Sequence, residues 1–220
     1  IWPQVARRYM TSFERARAET RHSARTHFTI KSLDQRAEVL PPLKLDHLRH
    51  LTDDTGILQH ATFTIPNYHE GYCIDDNARA LIVSSHLTEL ELMNGQSSAL
   101  MTRYLGYIAY AFNRESGRFR NFMNYQRQWL EEMGSEDSHG RTLWALGIVI
   151  GRSETPTFRN MATWLFEQAL PTIQETTSPR AWAFALVGIH EYLRRFKGDR
   201  LISQIRDDLG ERLLRLYQDN

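Results

Sequence analysis

The chain has 220 residues, 41% hydrophobic, 24% charged and 11% aromatic, a composition that excludes a disordered or fibrous protein and is large enough to bury a core. Its 27 basic and 26 acidic side chains leave a formal charge of +1 and are mixed along the chain, so no basic tract tracks a phosphate backbone and nucleic acid is not an expected partner. Cys73 is the single cysteine, which excludes an internal disulfide or a multi-thiolate zinc site and fits a cytoplasmic address; no apolar run is long enough to span a bilayer, so no membrane partner is expected.

The chain opens on Ile1-Trp2-Pro3-Gln4, which begins no signal peptide, and the missing initiator Met reads as a piece of a longer protein. Residues 2–21 carry an apolar stripe at Val5, Tyr9, Met10 and Phe13 and are expected to form a linker or packing helix, within an N-terminal segment of residues 1–27. Their basic stretch at residues 15–25 includes Glu19 and reads as a solvated helix face. Residues 28–69 lose the period: Pro41-Pro42, Asp54-Thr55-Gly56 and Pro66-Asn67 are turn signals, with room for one short helix over residues 43–51.

From Asp75 the pattern becomes regular. Helices are expected over residues 75–90, 97–112, 137–150, 158–170, 179–193 and 200–217, as three consecutive pairs. The first members are apolar around most of their circumference, as in Leu143-Trp144-Ala145-Leu146-Gly147-Ile148-Val149-Ile150, and suit helices surrounded by protein. The last second member has one stripe, Leu201, Ile202, Ile205, Leu209, Leu213, Leu214 and Leu216, and suits an outer helix. Repeated inner and outer helices make an all-α fold, an α/α toroid or solenoid over residues 28–220, because each pair leaves an apolar flank for its neighbour. Three pairs do not close a six-pair ring, so an incomplete toroid, with sequence beyond Asn220, or an open bundle is expected.

Each inner helix begins at polar residues: Cys73-Ile74-Asp75-Asp76-Asn77, Ser135-Glu136-Asp137-Ser138-His139, and Ser178-Pro179-Arg180. Helix caps explain much of this, and Asp75 with Arg79, like Asp137 with Arg141, has the i,i+4 spacing of a local ion pair. In a toroid, however, these starts gather at one mouth, where carboxylates from different helices could act on a glycosidic bond, one as acid and one as base or nucleophile. Asp75, Asp76, Glu136, Asp137 and His139 are therefore the catalytic candidates. His69, Tyr72, Asn77, Arg79, Asn121, Arg141, Trp144 and Trp182 are the substrate-binding candidates, since aromatic faces cover a sugar ring while amides and guanidinium groups bind hydroxyls. For Trp144 and Trp182 a place in the core is the competing reading. No cofactor motif is present, and His50, His60 and His69 match no metal-ligand spacing.

The strings His69-Glu70-Gly71-Tyr72-Cys73-Ile74-Asp75-Asp76-Asn77-Ala78-Arg79-Ala80-Leu81 and Ser135-Glu136-Asp137-Ser138-His139-Gly140-Arg141-Thr142-Leu143-Trp144-Ala145-Leu146-Gly147 resemble a bacterial group of six-hairpin-like helical domains associated with glycosyltransferases. The resemblance covers roughly residues 48–193. It implies an α/α toroid whose pocket is surrounded by Asp75, Asp76, Arg79, Glu136, Asp137, His139 and Arg141, and an adjoining glycosyltransferase domain as a partner; residues 2–13 look like the closing helix of such a domain. The chain has neither a glycine-rich nucleotide loop nor alternating strands and helices, so it is not itself expected to hold the donor sugar. The functions in view are a glycoside hydrolase-like domain, a non-catalytic saccharide-binding or scaffolding module, and a sugar isomerase or epimerase with His139 as proton carrier.

Overall fold

The computed structural model describes residues 2–22, 43–92 and 96–219, with the side chains of residues 20–22, 96 and 97 left aside. The chain divides into two compact units, Ile1–Leu43 and Lys44–Asn220. The expected boundary at residues 27 and 28, and Pro41-Pro42, lie outside the described residues. In the first unit, helix α1 (Trp2–His22) carries Trp2, Tyr9, Met10 and Phe13 exposed, and the Tyr9 and Phe13 rings stack one turn apart at 6.2 Å.

The second unit is mostly helical. After a short α2 (Asp46–Leu51) come α3 (Ile74–Glu89), α4 (Gln96–Ala111), α5 (Glu136–Arg152), α6 (Pro156–Ala169), α7 (Pro179–Arg195) and α8 (Arg200–Gln218), with a 3-10 turn, Leu170–Glu175, after α6. Each of the six expected helices is present, with ends displaced by a few residues. Side-chain caps explain the starts: Ser135 accepts from the Ser138 amide, Ser178 from Ala181, Asp199 from Ile202, and the Cys73 sulfur from Asp76.

The pairs assemble as two layers. Helix α5 packs on both α3 and α7, while α4, α6 and α8 pack on α3, α5 and α7 respectively. The inner three run parallel: Arg141 near the start of α5 meets Asp75 at the start of α3, and Arg152 at its end meets Glu89 and Glu191 at the ends of α3 and α7. Burial separates α5 from α8, but α7, expected to be enclosed, leaves Ala183 and Val187 exposed because it stands at the edge of the inner row with no further helix beside it among the described residues. Leu143, Ala145, Leu146, Ile148, Val149 and Ile150 are all buried on α5, whereas α8 buries only Ile202, Ile205 and Leu209.

Backbone contact between α5 and α7 depends on small residues. A Cβ on Gly140 would lie 2.5 Å from the Ala181 carbonyl oxygen, and one on Gly147 would lie 2.3 Å from that of Gly188. Such approach is possible only where side chains are missing, and it is what holds the two helix starts side by side.

Three antiparallel ribbons were not expected from sequence: β1 (Ala61–Thr62) with β2 (Ile65–Pro66), β3 (Tyr72–Cys73) with β6 (Phe122–Met123), and β4 (Phe112–Asn113) with β5 (Arg118–Phe119). Two-residue strands are too short to show a period of two. The β3–β6 pairing matters most, because it pins the loop after β5 against the start of α3. Gly71, just before β3, has φ +64, and a Cβ there would meet the Met123 carbonyl oxygen at 2.2 Å, so both conformation and space require glycine.

Candidate functional site

Strand alternation gives the β3–β6 ribbon two different faces. Tyr72 and Met123 are directly paired, as are Cys73 and Phe122. Cys73 and Phe122 line a cleft of about 460 Å³ at the starts of α3, α5 and α7, together with Gln59, His60 and Asn121. Apart from Ser135 and Ser138, the rest of its wall is charged: Asp75, Asp76 and Arg79 from α3, Asp137 and Arg141 from α5, and Arg180 from α7. The carboxylates stand in first helical turns, where the helix dipole favours anions.

Every carboxylate on this wall meets a guanidinium. Arg79 Nη2 reaches Asp75 Oδ2 at 2.5 Å and Arg79 Nη1 reaches Asp76 Oδ1 at 3.1 Å. Arg141 Nε pairs with Asp75 Oδ1, and Arg180 Nη2 pairs with Asp137 Oδ2. The anticipated local pair between Asp137 and Arg141 is therefore replaced by two pairs that cross between helices. Parallel packing places the starts side by side, so a carboxylate on the next helix competes with the one four residues away. Ser178 Oγ adds a hydrogen bond of 2.8 Å to Asp137 Oδ1, and the Cys73 thiol donates to Asp76 Oδ2 at 3.0 Å. Burial and the neighbouring Asp76 carboxylate push the Cys73 thiol pKa well up, so it serves as a neutral donor.

Arg141 is the central strut. Only 15% of its side-chain surface is exposed, and its guanidinium lies 4.4 Å from the centre of the Phe184 ring on α7. Arg79 is 51% exposed. We expect Arg141→Met to cost about 1 to 2 kcal/mol and Arg79→Met less than about 1 kcal/mol, between the values for exposed and for buried pairs. In denaturant melts, Asp75→Asn should add little to Arg141→Met, while Asp137→Asn should add its full independent loss. The reverse pattern would restore the local Asp137–Arg141 pair.

Other candidates lie elsewhere. Glu136 is not on the cleft wall; its Oε2 accepts from the Thr177 amide at 2.9 Å and the Ser178 amide at 2.6 Å, tying the start of α5 to that of α7. His139, expected at the mouth, is in the core at 0% exposure. Its Nε2 lies 3.2 Å from the Ala169 carbonyl oxygen and 3.0 Å from Thr172 Oγ1, and burial, aided by the Arg118 charge, lowers its pKa to about 3. The α-helical rotation from Asp137 to His139 carries the imidazole to the inward face, which corrects its assignment as a proton carrier.

Tyr72 and Asn77 are also structural. The Tyr72 hydroxyl donates to Asp53 Oδ2 at 2.5 Å on the ribbon face opposite Cys73, and the fully buried Asn77 side chain accepts from the Ile57 amide and donates to the Cys73 carbonyl oxygen. Trp144 stacks with Phe184 at 5.8 Å, and Trp182 donates from Nε1 to Thr176 Oγ1 at 2.9 Å. Neither lines the cleft, nor does the exposed His69, whose amide is held by Asn67 Oδ1. Asn121 does: it is 8% exposed, and its Oδ1 has no hydrogen-bond partner among the described residues.

Gln59 and Arg180 reach the cleft without having been selected as site residues. Gln59 sits in an irregular segment and carries no sequence signal. Arg180 does carry one, because a cation in the first turn of a helix opposes the helix dipole and needs an external reason. Among the described residues no group of three or more His, Cys, Asp or Glu side chains is placed to hold a metal ion, and no helix is long and apolar enough to cross a membrane. No protein-family model matches the chain, and no curated protein matches it significantly.

Proposed function

We propose that the cleft at the starts of α3, α5 and α7 binds a saccharide, and that the chain is a carbohydrate-recognising helical domain in an incomplete α/α toroid. The observation that carries this reading is the alternating set of three aspartates and three arginines on one wall. Neighbouring hydroxyls of a sugar each donate and accept, so fixed carboxylate acceptors beside guanidinium donors match them. Phe122 supplies an apolar surface for a ring.

Binding without cleavage fits this wall better than hydrolysis. A proton donor to a glycosidic oxygen is a carboxylic acid held neutral by an apolar setting. Here each carboxylate of the wall is instead set against arginine. One observation favours the hydrolytic alternative, namely that Asp75 and Asp137 come from separate helices and face the same cleft. The adjoining partner domain, a glycosyltransferase by sequence resemblance, would supply the chemistry in the binding reading.

The test is a panel of neutral oligosaccharides titrated calorimetrically into the protein. We expect at least one to bind, with affinity reduced about tenfold or more by Arg180→Gln, the equivalent of losing roughly 1.4 kcal/mol. Arg180 is 70% exposed, so the fold should survive the change. No reducing sugar should be released. Failure of every glycan to bind would remove the saccharide reading, and release of reducing sugar that stops in Asp75→Asn or Asp137→Asn would replace binding by hydrolysis.

A further inference from the structure

The opposite face of the β3–β6 ribbon borders a second groove of about 470 Å³, separate from the cleft in its lining residues. Its floor is aromatic: Tyr107 and Tyr110 of α4 each pack on Trp129, with ring centroids 5.6 and 5.3 Å apart. Trp129 is itself fixed by a backbone bridge to Met123 and lies under the Arg120 guanidinium. Tyr110 nevertheless remains 58% exposed, which leaves a pre-positioned ring face open to a ligand.

The rim is charged. Asp54 Oδ1 accepts from Arg127 Nη2 at 2.7 Å across it, giving an acceptor beside a donor. Arg103, also on the lining, has no carboxylate partner among the described residues. Two guanidiniums against one carboxylate give this groove a net charge of +1, whereas the cleft balances three against three. Gly106 lies between Arg103 and Tyr110 on the same stretch of α4, and a Cβ there would meet nothing within 4 Å. The middle of the groove is therefore empty for want of a side chain, although glycine is a poor residue inside a helix.

The geometry points to a second binding site, for a hydroxylated ring that carries one acidic group, such as a uronate or a sugar phosphate. The exposed Tyr110 face receives the ring, Arg103 the anion, and the Asp54–Arg127 pair the hydroxyls, with Gly106 giving the clearance. This site is independent of the saccharide reading of the cleft, since the two share no lining residue.

The probes are D-glucuronate, D-glucose 6-phosphate, D-glucose and inorganic phosphate, titrated into the whole chain while tryptophan fluorescence is followed. At least one of the two acidic sugars should bind and perturb the signal, with D-glucose and inorganic phosphate each weaker by about tenfold or more. The two acidic probes distinguish a carboxylate from a phosphate. Gly106→Leu, a good helix former with room for its Cβ, should weaken binding by about tenfold or more, and so should Arg103→Gln, while Arg180→Gln in the cleft should leave it unchanged. Equal binding of D-glucose or of inorganic phosphate, full affinity in either groove variant, or loss of binding with Arg180→Gln would overturn the assignment, as would failure of both acidic sugars to bind.

Discussion

Gly147→Ala is expected to destabilise the protein by about 3 kcal/mol or more, the upper range for overpacking a well-filled interior. The added methyl would lie 2.3 Å from the Gly188 carbonyl oxygen and 2.5 Å from Gly188 Cα, and all its close neighbours are backbone. No rotamer change can relieve that contact; α5 and α7 must separate. Helix propensity acts the other way, since glycine to alanine gains at most about 1 kcal/mol inside a helix. Packing should win by a wide margin. Gly210→Ala on α8 is the control, because a Cβ there meets nothing within 4 Å. It should be neutral or stabilising by up to about 1 kcal/mol. Urea melts of both variants decide the matter, and a Gly147→Ala protein as stable as the parent would show that the inner helices do not touch through backbone. The same substitution should weaken the glycan binding proposed for the cleft even under conditions where the chain stays folded, because separating α5 from α7 moves Arg180 away from Asp137.

The second large effect is a loss of stability in mild acid that originates at His139. Its folded pKa, about 3, lies well below the ordinary value of 6.5, because burial and the Arg118 charge disfavour the imidazolium. The unfolded chain therefore binds a proton between those two values that the folded chain refuses. Stability from this group is fully present above pH 6.5 and is lost as pH falls from 6.5 toward 3, by up to about 1.4 kcal/mol per pH unit. Near pH 4.5 the loss should be about 3 kcal/mol. His139→Gln keeps a side chain able to reach the Ala169 carbonyl oxygen but removes the titration, so it should lower stability at pH 7 and flatten the decline between pH 6.5 and 4.5. An equally steep decline in the variant would assign acid sensitivity to other groups.

The cleft wall and the helix array were legible from the sequence to different depths. Asp75, Asp76, Arg79, Asn121, Asp137 and Arg141 were selected as site residues and share the cleft. The aspartates stand in first turns, Arg79 and Arg141 one turn further on and Asn121 in the loop before β6, and the convergence of helix starts follows once parallel inner helices are recognised. His139, Tyr72 and Asn77 were selected for the same reason of position and are buried instead. Neighbouring residues on a helix point about 100° apart, so a string of polar residues at a helix start contains both cleft-facing and core-facing members. The polar identity of His139 gave no warning, because its partners, Ala169 at the end of α6 and Thr172 in the turn after it, lie some thirty residues on in the chain.

What the sequence by itself determined was local: the six paired helices, their polar starts at Ser135 and Ser178, and the one-sided stripe of α8. Those features depend on contacts within a few residues and on a 3.6-residue period, both written directly in the chain. Only the tertiary structure decided which charges meet. Arg141 has an aspartate four residues before it, yet it pairs with Asp75 of α3, and that Asp137 pairs with Arg180 of α7. The glycine contacts bring α7 close enough to α5 for Arg180 to reach Asp137, and the packing of α5 on α3 brings Asp75 within reach of Arg141, so pairs between helices displace the local one. No spacing within one segment encodes that competition, because its outcome depends on how near the next helix stands.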